Sequence, residues 1–305
     1  MKQQLRIGSN PIKLQGTSFG RAYLLVQGVT TNTTIGSNAF DLQNLRTQIE
    51  ISQCGVKDTT SFNAVGPVAR AISELGFEQM AAGLNWNISN GSTTLAGFNT
   101  GQYNTSAFYI PLLEGGYILK GDDYINFNID ILPSFMSADV SAGSSVYLVT
   151  EEANGIIQAD VNLPVYEPIT TDKQSPSYTY DALSEVSFVS FNNVGAGFDY
   201  NSSPLQSVDF RSDYVTENFD IVTLYAKNVA TLSNPSNQSF PIFYVEPSAL
   251  WNCQVGLAIN TSNVNIGLQF LYVRKVLTSP NLVSRAVAQQ TKIQKSSLRK
   301  RGLRA

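Results

Sequence analysis

The feature that most constrains the fold of this chain is an alternation of apolar and polar residues with a period of two. In residues 45–52 the odd positions are mostly apolar and the even positions are mostly polar. This is the pattern of a β-strand with one buried and one solvated face. Residues 123–131 and 254–259 show the same alternation. The pattern predicts an all-β protein built from sandwiches of packed sheets.

Other segments add strands and one helix to this prediction. Residues 64–81 have apolar positions at the spacing of three and four that indicates a helix, with Pro67 in the first turn. A weaker helical pattern runs from residue 282 to about residue 298. Segments rich in β-branched and aromatic residues predict strands at 21–29, 107–113, 145–150, 185–191, 219–226, 241–246 and 266–276.

The chain divides where the alternation fades, between residues 151 and 180. Prolines occur there at positions 164, 168 and 176, as is typical of a crossing between compact units. The strands predicted on the two sides are too many for one sandwich of about eight strands, so we expect two sandwiches of Greek-key or jelly-roll type. The predicted units are an N-terminal arm (1–16), a first sandwich (17–163), a linker (164–177), a second sandwich (178–280) and a basic tail (281–305).

The composition excludes much of ordinary enzyme chemistry. The sequence has no histidine, which rules out Ser-His-Asp and Cys-His nucleophile pairs and His-based zinc sites. Cys54 and Cys253 are too few for a Cys₄ metal site, and we interpret them as buried thiols, with a disulfide as the alternative. We therefore predict that the protein is not an enzyme and has no catalytic residues, no metal and no cofactor.

The most enzyme-like motif is Lys120-Gly121-Asp122-Asp123, which lies between two apolar runs. A strand, Gly-Asp-Asp and a second strand form the metal-binding hairpin of RNA-dependent polymerases. The chain is short for a polymerase and has no second Asp pair upstream, so we interpret the motif as a tight turn. A structural Ca²⁺ bound by Asp122, Asp123 and Glu114 between subunits is the alternative.

Two further groups of residues have both a functional and a structural interpretation. Gly195-Ala196-Gly197 begins like a dinucleotide-binding loop, but Tyr200 occupies the third glycine position, so we interpret the segment as an ordinary loop. Tyr178, Tyr180 and Tyr200 are candidates for stacking on sugars, with sandwich edges or subunit contacts as the alternative.

Charge is distributed unevenly along the chain. There are 20 basic and 23 acidic residues, for a net charge of −3. Residues 284–305 hold seven of the basic residues and no acidic residue, so the first 283 residues have 13 basic against 23 acidic residues, a net charge of −10. The tail is a candidate contact for phosphates of nucleic acid or lipid, and a solvated, disordered end is the alternative. Its basic residues are Arg285, Lys292, Lys295, Arg299, Lys300, Arg301 and Arg304.

Three stretches carry a resemblance to a known family: the strand 19–28 after a short polar arm, the predicted hairpin 111–123, and the closing strand 266–276 followed by the basic tail. Over about residues 15–280 the chain resembles the double jelly-roll major capsid proteins of tailless icosahedral bacteriophages with an internal membrane, the corticovirus-like and finnlakevirus-like coats. The resemblance implies two jelly rolls side by side in one subunit. It also implies a homotrimer of pseudo-hexagonal outline that tiles the shell.

The resemblance further implies where the protein is located and what it contacts. It implies a virion protein whose partners are further copies of itself, minor capsid or vertex proteins and the lipids of the internal membrane. Direct contact between the tail and the genome is the less favoured alternative, and no small-molecule substrate is implied. The first residues lack the apolar core of a signal peptide, so we expect synthesis in the host cytoplasm.

Two other functions compete with a coat protein. The first is a carbohydrate- or receptor-binding spike or fibre module with a β-sandwich fold. The second, less favoured, is a carboxylate-based glycosidase, which would need two carboxylates about 5–9 Å apart in a cleft.

Overall fold

The structure is a computed structural model. It describes residues 1–29, 38–53, 56–75, 81–82, 94–96, 105–152, 161–168, 177–179, 184–191, 205–211, 216–220, 222–223, 242–245, 254–259 and 269–277. Every strand pairing within these ranges is antiparallel.

The first half of the chain contributes eleven strands within the described residues. They are β1 (Lys2–Leu5), β2 (Gly8–Gln15), β3 (Ser18–Val29), β4 (Asn38–Asp41), β5 (Leu45–Gln53), β6 (Val56–Asn63), β7 (Ala81–Ala82), β8 (Thr94–Ala96), β9 (Thr105–Ile118), β10 (Tyr124–Ile131) and β11 (Ser145–Glu151). The helices described in this half are α1 (Val65–Leu75), α2 (Ala138–Ser141) and two single 3₁₀ turns, Leu42–Asn44 and Pro133–Phe135.

These strands form a sandwich of two sheets. One sheet has the order β1-β11-β3-β9-β7, the other has the order β2-β10-β5-β6, and β4 pairs with β8 in a separate ribbon. The alternation in β10 sets which residues face the core: Ile125, Phe127, Ile129 and Ile131 are at most 2% exposed. Their polar neighbours in the sequence lie on the outward face of the sheet.

The second half forms another sandwich. Its strands are β12 (Val161–Pro168), β13 (Ser177–Thr179), β14 (Ser184–Phe191), β15 (Leu205–Arg211), β16 (Thr216–Asp220), β17 (Ile242–Val245), β18 (Gln254–Ile259) and β19 (Gln269–Leu277). Its sheets have the orders β12-β19-β14-β17 and β13-β18-β15-β16. Val208, Phe210, Phe219 and Val255 are buried on the inward side of the second of these sheets.

The two halves repeat one strand order. Without β4, β7 and β8, each half has eight described strands. When these strands are numbered 1 to 8 in chain order within each half, both halves have one sheet of order 1-8-3-6 and one of order 2-7-4-5. This is the topology of an eight-stranded jelly roll. The prediction of an all-β chain with two jelly rolls is therefore confirmed. The sequence shows no repeat of residue identity, so the duplication is one of fold.

The start of the chain differs from the predicted arm. Residues 2–5 and 8–15 are β1 and β2, the first two strands of the first jelly roll. Leu5, Ile12 and Leu14 of these strands are buried in its core. Pro11 is tolerated within β2 because β2 lies at the edge of its sheet, where one side of the strand needs no hydrogen-bond donors.

The stretch between the jelly rolls also differs from the sequence expectation. Residues 161–168, which span the expected start of the linker at residue 164, form the single strand β12 in register with β19. Pro164 and Pro168 are again on an edge strand.

The helix predicted over residues 64–81 is shorter than expected. It ends at Leu75 in the described residues, and Ala81–Ala82 is a strand that pairs with β9. Within the described part of the chain, no helix is long and apolar enough to cross a membrane.

Candidate assembly surfaces and the junction between the jelly rolls

Several residues singled out in the sequence lie outside the described residues. These include the whole basic tail with the weaker helical pattern inside it, Cys54, Cys253 and the loop from Gly195 to Tyr200. Tyr180 is also outside, whereas Tyr178 lies in β13.

The Lys120-Gly121-Asp122-Asp123 motif forms a tight turn. The backbone N–H of Asp123 donates to the carbonyl of Lys120 over 3.0 Å. Gly121 has φ of +59°, a left-handed conformation that glycine adopts without steric cost. Because β9 and β10 belong to different sheets, the turn carries the chain from one sheet to the other and does not close a hairpin.

The carboxylates near this turn do not converge. Glu114 faces a different partner, with its Oε2 3.7 Å from Nη2 of Arg70. Among the described residues, no group of three or more His, Cys, Asp or Glu side chains is arranged to hold a metal ion.

The outward face of the β2-β10-β5-β6 sheet is polar. Near one end of this face, the Tyr124 hydroxyl donates to the Glu50 carboxylate across neighbouring strands. The ammonium groups of Lys13 and Lys57 lie 4.7 and 5.8 Å from the centre of the Tyr124 ring. The ring thus lies within cation–π distance of one charge on the neighbouring strand β2 and one on β6, two strands away. This polar face is suited to contact with water.

The centre of the outward face of the β1-β11-β3-β9-β7 sheet is more apolar. Six half-buried residues on three adjacent strands define what we name the tyrosine face: Tyr23 and Leu25 of β3, Tyr109 and Pro111 of β9, and Tyr147 and Val149 of β11. The rings of Tyr23 and Tyr109 meet edge to face at 6.0 Å, and the Lys2 ammonium lies 4.1 Å from the centre of the Tyr147 ring. Contiguous apolar surface of this kind is typical of interaction sites.

A charged cluster borders the tyrosine face. Nε of Arg21 lies 3.3 Å from Oε2 of Glu151, and the Tyr23 hydroxyl donates to the same carboxylate. Burial raises the pKa of Tyr23 above its ordinary value, and the hydrogen bond to Glu151 and the charge of Glu151 raise it further. The Tyr23 hydroxyl therefore stays a neutral donor across the physiological pH range.

The two jelly rolls meet at β12, which lies against β6 and β9 of the first jelly roll. The Thr60 hydroxyl donates to the Pro164 carbonyl over 2.8 Å in a buried hydrogen bond. The Tyr166 ring is 6% exposed and meets Phe62 edge to face at 5.2 Å. Leu163 is fully buried within the same apolar cluster as the core of the first jelly roll. A strand of the second jelly roll thus packs into the core of the first.

Helix α1 completes this junction. It lies against β9 of the first jelly roll and against β14 and β17 of the second. Gly66, in its first turn, approaches the Tyr166 ring so closely that a Cβ at this position would lie 2.4 Å from Cδ1 of Tyr166. A residue with a Cβ at position 66 would therefore require the Tyr166 ring to shift.

Sequence reasoning did not find the junction. Thr60 and Pro164 are 104 positions apart, and neither has an unusual neighbourhood in the sequence. The only local signal is the alternation of buried Thr60 and Phe62 with exposed Thr59 and Ser61 in the mostly polar β6.

Comparisons with known proteins find likeness in structure and none in sequence family. No family model matches the sequence. No curated protein matches it either. A chain of the atomic structure of Sulfolobus Turreted Icosahedral Virus is similar over 98% of this chain and 97% of its own length, with a TM-score of 0.50 and 14% identity.

Two further solved structures are similar at lower scores. The crystal structure of the STIV MCP covers 90% of this chain and 93% of its own, with a TM-score of 0.49 and 14% identity. The major capsid protein P2 from bacteriophage PM2 covers 92% of this chain and 98% of its own, with a TM-score of 0.44 and 7% identity. The likeness to the Sulfolobus Turreted Icosahedral Virus chain shows that the double jelly-roll fold extends over nearly the whole of both chains.

Proposed function

We propose that this chain is a non-enzymatic structural protein, the major coat protein of an icosahedral virus. The observation that carries the proposal is the repeated strand order, two jelly rolls joined through a buried junction into one subunit. The chain that shares this fold over nearly its full length belongs to the structure of an icosahedral virus. The protein is accordingly assigned to the virion, after synthesis in the host cytoplasm.

The proposal includes assembly of the subunit into homotrimers that tile the shell. Three copies of a chain with two jelly rolls place six sandwiches around one axis and give a pseudo-hexagonal outline. The tyrosine face supports self-association, because apolar and aromatic surface is stabilised when a neighbouring subunit removes it from water. Minor capsid or vertex proteins are the further protein partners in such a shell.

The basic tail is assigned a separate task in this proposal. We infer that Arg285, Lys292, Lys295 and the four basic residues after them bind anionic headgroups of an internal membrane, with genome phosphates as the competing ligand. Seven cations without an acidic residue in positions 284–305 support this assignment. Each basic residue close to an anionic bilayer contributes about 1 kcal/mol of attraction.

Light scattering of the full chain, and of a chain that ends at residue 283, tests the assembly proposal. A trimer of three 33.2 kDa chains, about 100 kDa, is expected for both forms. A monomer in both forms at micromolar concentration would contradict the coat proposal.

Sedimentation with vesicles tests the tail. The full chain is expected to pellet with vesicles that contain phosphatidylglycerol and not with pure phosphatidylcholine vesicles, and the shortened chain with neither. A full-length variant with glutamine at all seven basic positions is the matched control for charge, and it is expected to stay in the supernatant. Retention of duplex DNA without vesicle binding, or vesicle binding by the shortened chain, would overturn the membrane assignment.

A further inference from the structure

We propose that the two jelly rolls form one cooperative unit held in a single relative orientation by β12, a strand that belongs to both. It belongs to the second jelly roll through its backbone and to the first through the side chains of Leu163 and Tyr166. Tyr166 and Thr60 are the positioning residues of this arrangement. The inference concerns the subunit itself and holds independently of the coat function.

The backbone of β12 completes the second jelly roll. All eight residues of the strand are in register with β19, from Val161 opposite Leu277 to Pro168 opposite Phe270. In the described strand order β12 is the first strand of its sheet and has only β19 as a neighbour. Without β12, the outer edge of β19 loses its hydrogen-bonding partner along its full length.

Two side chains of β12 pack with the first jelly roll instead. Leu163 and Tyr166 belong to the continuous buried cluster that also contains Phe62, Val65 and Val68 of β6 and α1. Because hydrophobic stabilisation follows the apolar surface removed from water, the burial of these two side chains stabilises the second jelly roll only when the first is folded.

Two contacts oppose rotation of one jelly roll against the other. The hydrogen bond from Thr60 to the Pro164 carbonyl is buried, so a small rotation would leave both groups without a partner and without water. Gly66 is already at close range from the Tyr166 ring, so motion of the ring toward α1 is blocked by backbone atoms. Motion in the opposite direction would open a cavity beside Phe62.

Helix α1 adds a third support away from β12. It lies against β14 and β17, which belong to the same sheet of the second jelly roll as β12. The first jelly roll thus contacts three strands of one sheet, β12, β14 and β17, and three separated contacts fix the orientation of that sheet. The first jelly roll thereby sets the orientation of the second.

The test uses the full chain with one tryptophan at a time. Trp86 precedes β8 in the first half of the sequence and Trp251 precedes β18 in the second half. Two separate variants are made: Trp251→Phe keeps Trp86 as the fluorescent reporter of the first half, and Trp86→Phe keeps Trp251 as the reporter of the second half. Phe210→Leu then perturbs the core of the second jelly roll through a residue that is 2% exposed. If the two jelly rolls are one unit, Phe210→Leu lowers the urea midpoint of both reporters equally.

Disconnecting the junction should confine that effect to one half. In a Thr60→Val or Tyr166→Leu background, Phe210→Leu is expected to lower the midpoint of the Trp251 reporter and leave that of Trp86 unchanged. Thr59→Val, at the exposed neighbouring position of β6, is the matched control and is expected to preserve the equal shift.

Two results would overturn the proposal. One is a midpoint shift limited to Trp251 in the chain with an intact junction, which would mean that the jelly rolls unfold independently. The other is an equal shift of both reporters in the Thr60→Val and Tyr166→Leu backgrounds alike. Thr60→Val replaces the hydroxyl by a methyl group of similar size, so it supplies the decisive comparison even if Tyr166→Leu does not fold.

Discussion

Replacement of Gly66 by alanine tests how tightly α1 is packed against the second jelly roll. Alanine is favoured over glycine in a helix by up to about 1 kcal/mol, so in an open environment the substitution would stabilise the protein. In this structure the new Cβ would lie 2.4 Å from Cδ1 and 2.7 Å from Cγ of Tyr166. Non-bonded carbon atoms prefer separations of about 3.5–4.0 Å, so the ring has to move by about 1 Å.

The surroundings of Tyr166 leave little room for that movement. The residue is 6% exposed and its ring is in contact with Phe62. Overpacking of a well-packed site costs about 1–3 kcal/mol, which exceeds the gain from helix propensity. We therefore expect Gly66→Ala to lower the free energy of unfolding by about 1–2 kcal/mol, measured by equilibrium unfolding in urea.

Two further variants make this measurement specific. Gly256→Ala is the control, because its Cβ would lie 3.7 Å from Cβ of Asp209, an ordinary contact; its expected effect is within about 0.5 kcal/mol. In a Tyr166→Leu background the loss caused by Gly66→Ala should shrink, since the two sites are coupled. A Gly66→Ala protein that is as stable as the wild type, or more stable, would refute the reasoning.

Three other predictions follow from the described geometry. Gly121→Ala should lower the free energy of unfolding by about 1–2 kcal/mol because φ is +59°, and Gly121→Asn by less; equal losses in urea unfolding would contradict the conformational cause. Because the pKa of Tyr23 is raised in the folded state, its stabilising contribution is complete below about pH 10 and is lost as the pH rises through the folded-state pKa. Unfolding series at increasing pH should show this loss in the wild type but not in Tyr23→Phe, and Glu151→Gln should reduce it only in part, since burial is the largest cause. Leu25→Asp on the tyrosine face should dissociate the proposed trimer in light scattering with the circular dichroism unchanged, whereas Asn126→Asp on the polar face should not; equal behaviour of the two would remove the tyrosine face from the subunit contact.

Richness in β-branched and aromatic residues located several strands of the fold, and the alternation of apolar and polar residues located β5, β10 and β18, because each sheet has one buried face. The alternation worked best where it is unbroken, as in β10. It did not predict β2 or β12, because both contain proline, which a strand tolerates only at a sheet edge. Whether a strand lies at an edge depends on the strand order, which local sequence does not show. The alternation also missed β15, where a register irregularity between Leu205 and Ser207 puts Leu205 out of phase with the buried residues that follow.

The functional surfaces were less accessible from sequence. Tyr23, Tyr109 and Tyr147 are far apart in the chain and meet only because β11 and β9 pair on either side of β3. The same holds for Thr60 and Pro164 at the junction. Residue types and local spacing predict which face of a strand is buried, but the contacts between distant strands depend on topology. The basic tail stays a prediction from charge alone, since it lies outside the described residues.

Under the proposed coat function, the prolines of β2 and β12 affect the free subunit before a shell has formed. A coat protein has to accumulate in its host to a concentration at which shells nucleate, and an unpaired strand is then a template for uncontrolled fibre growth. Pro11, Pro164 and Pro168 each remove an N–H group that an incoming strand would need. The prolines thereby disfavour pairing of these edges with strands of other subunits, so that free subunits stay soluble and competent to assemble for longer.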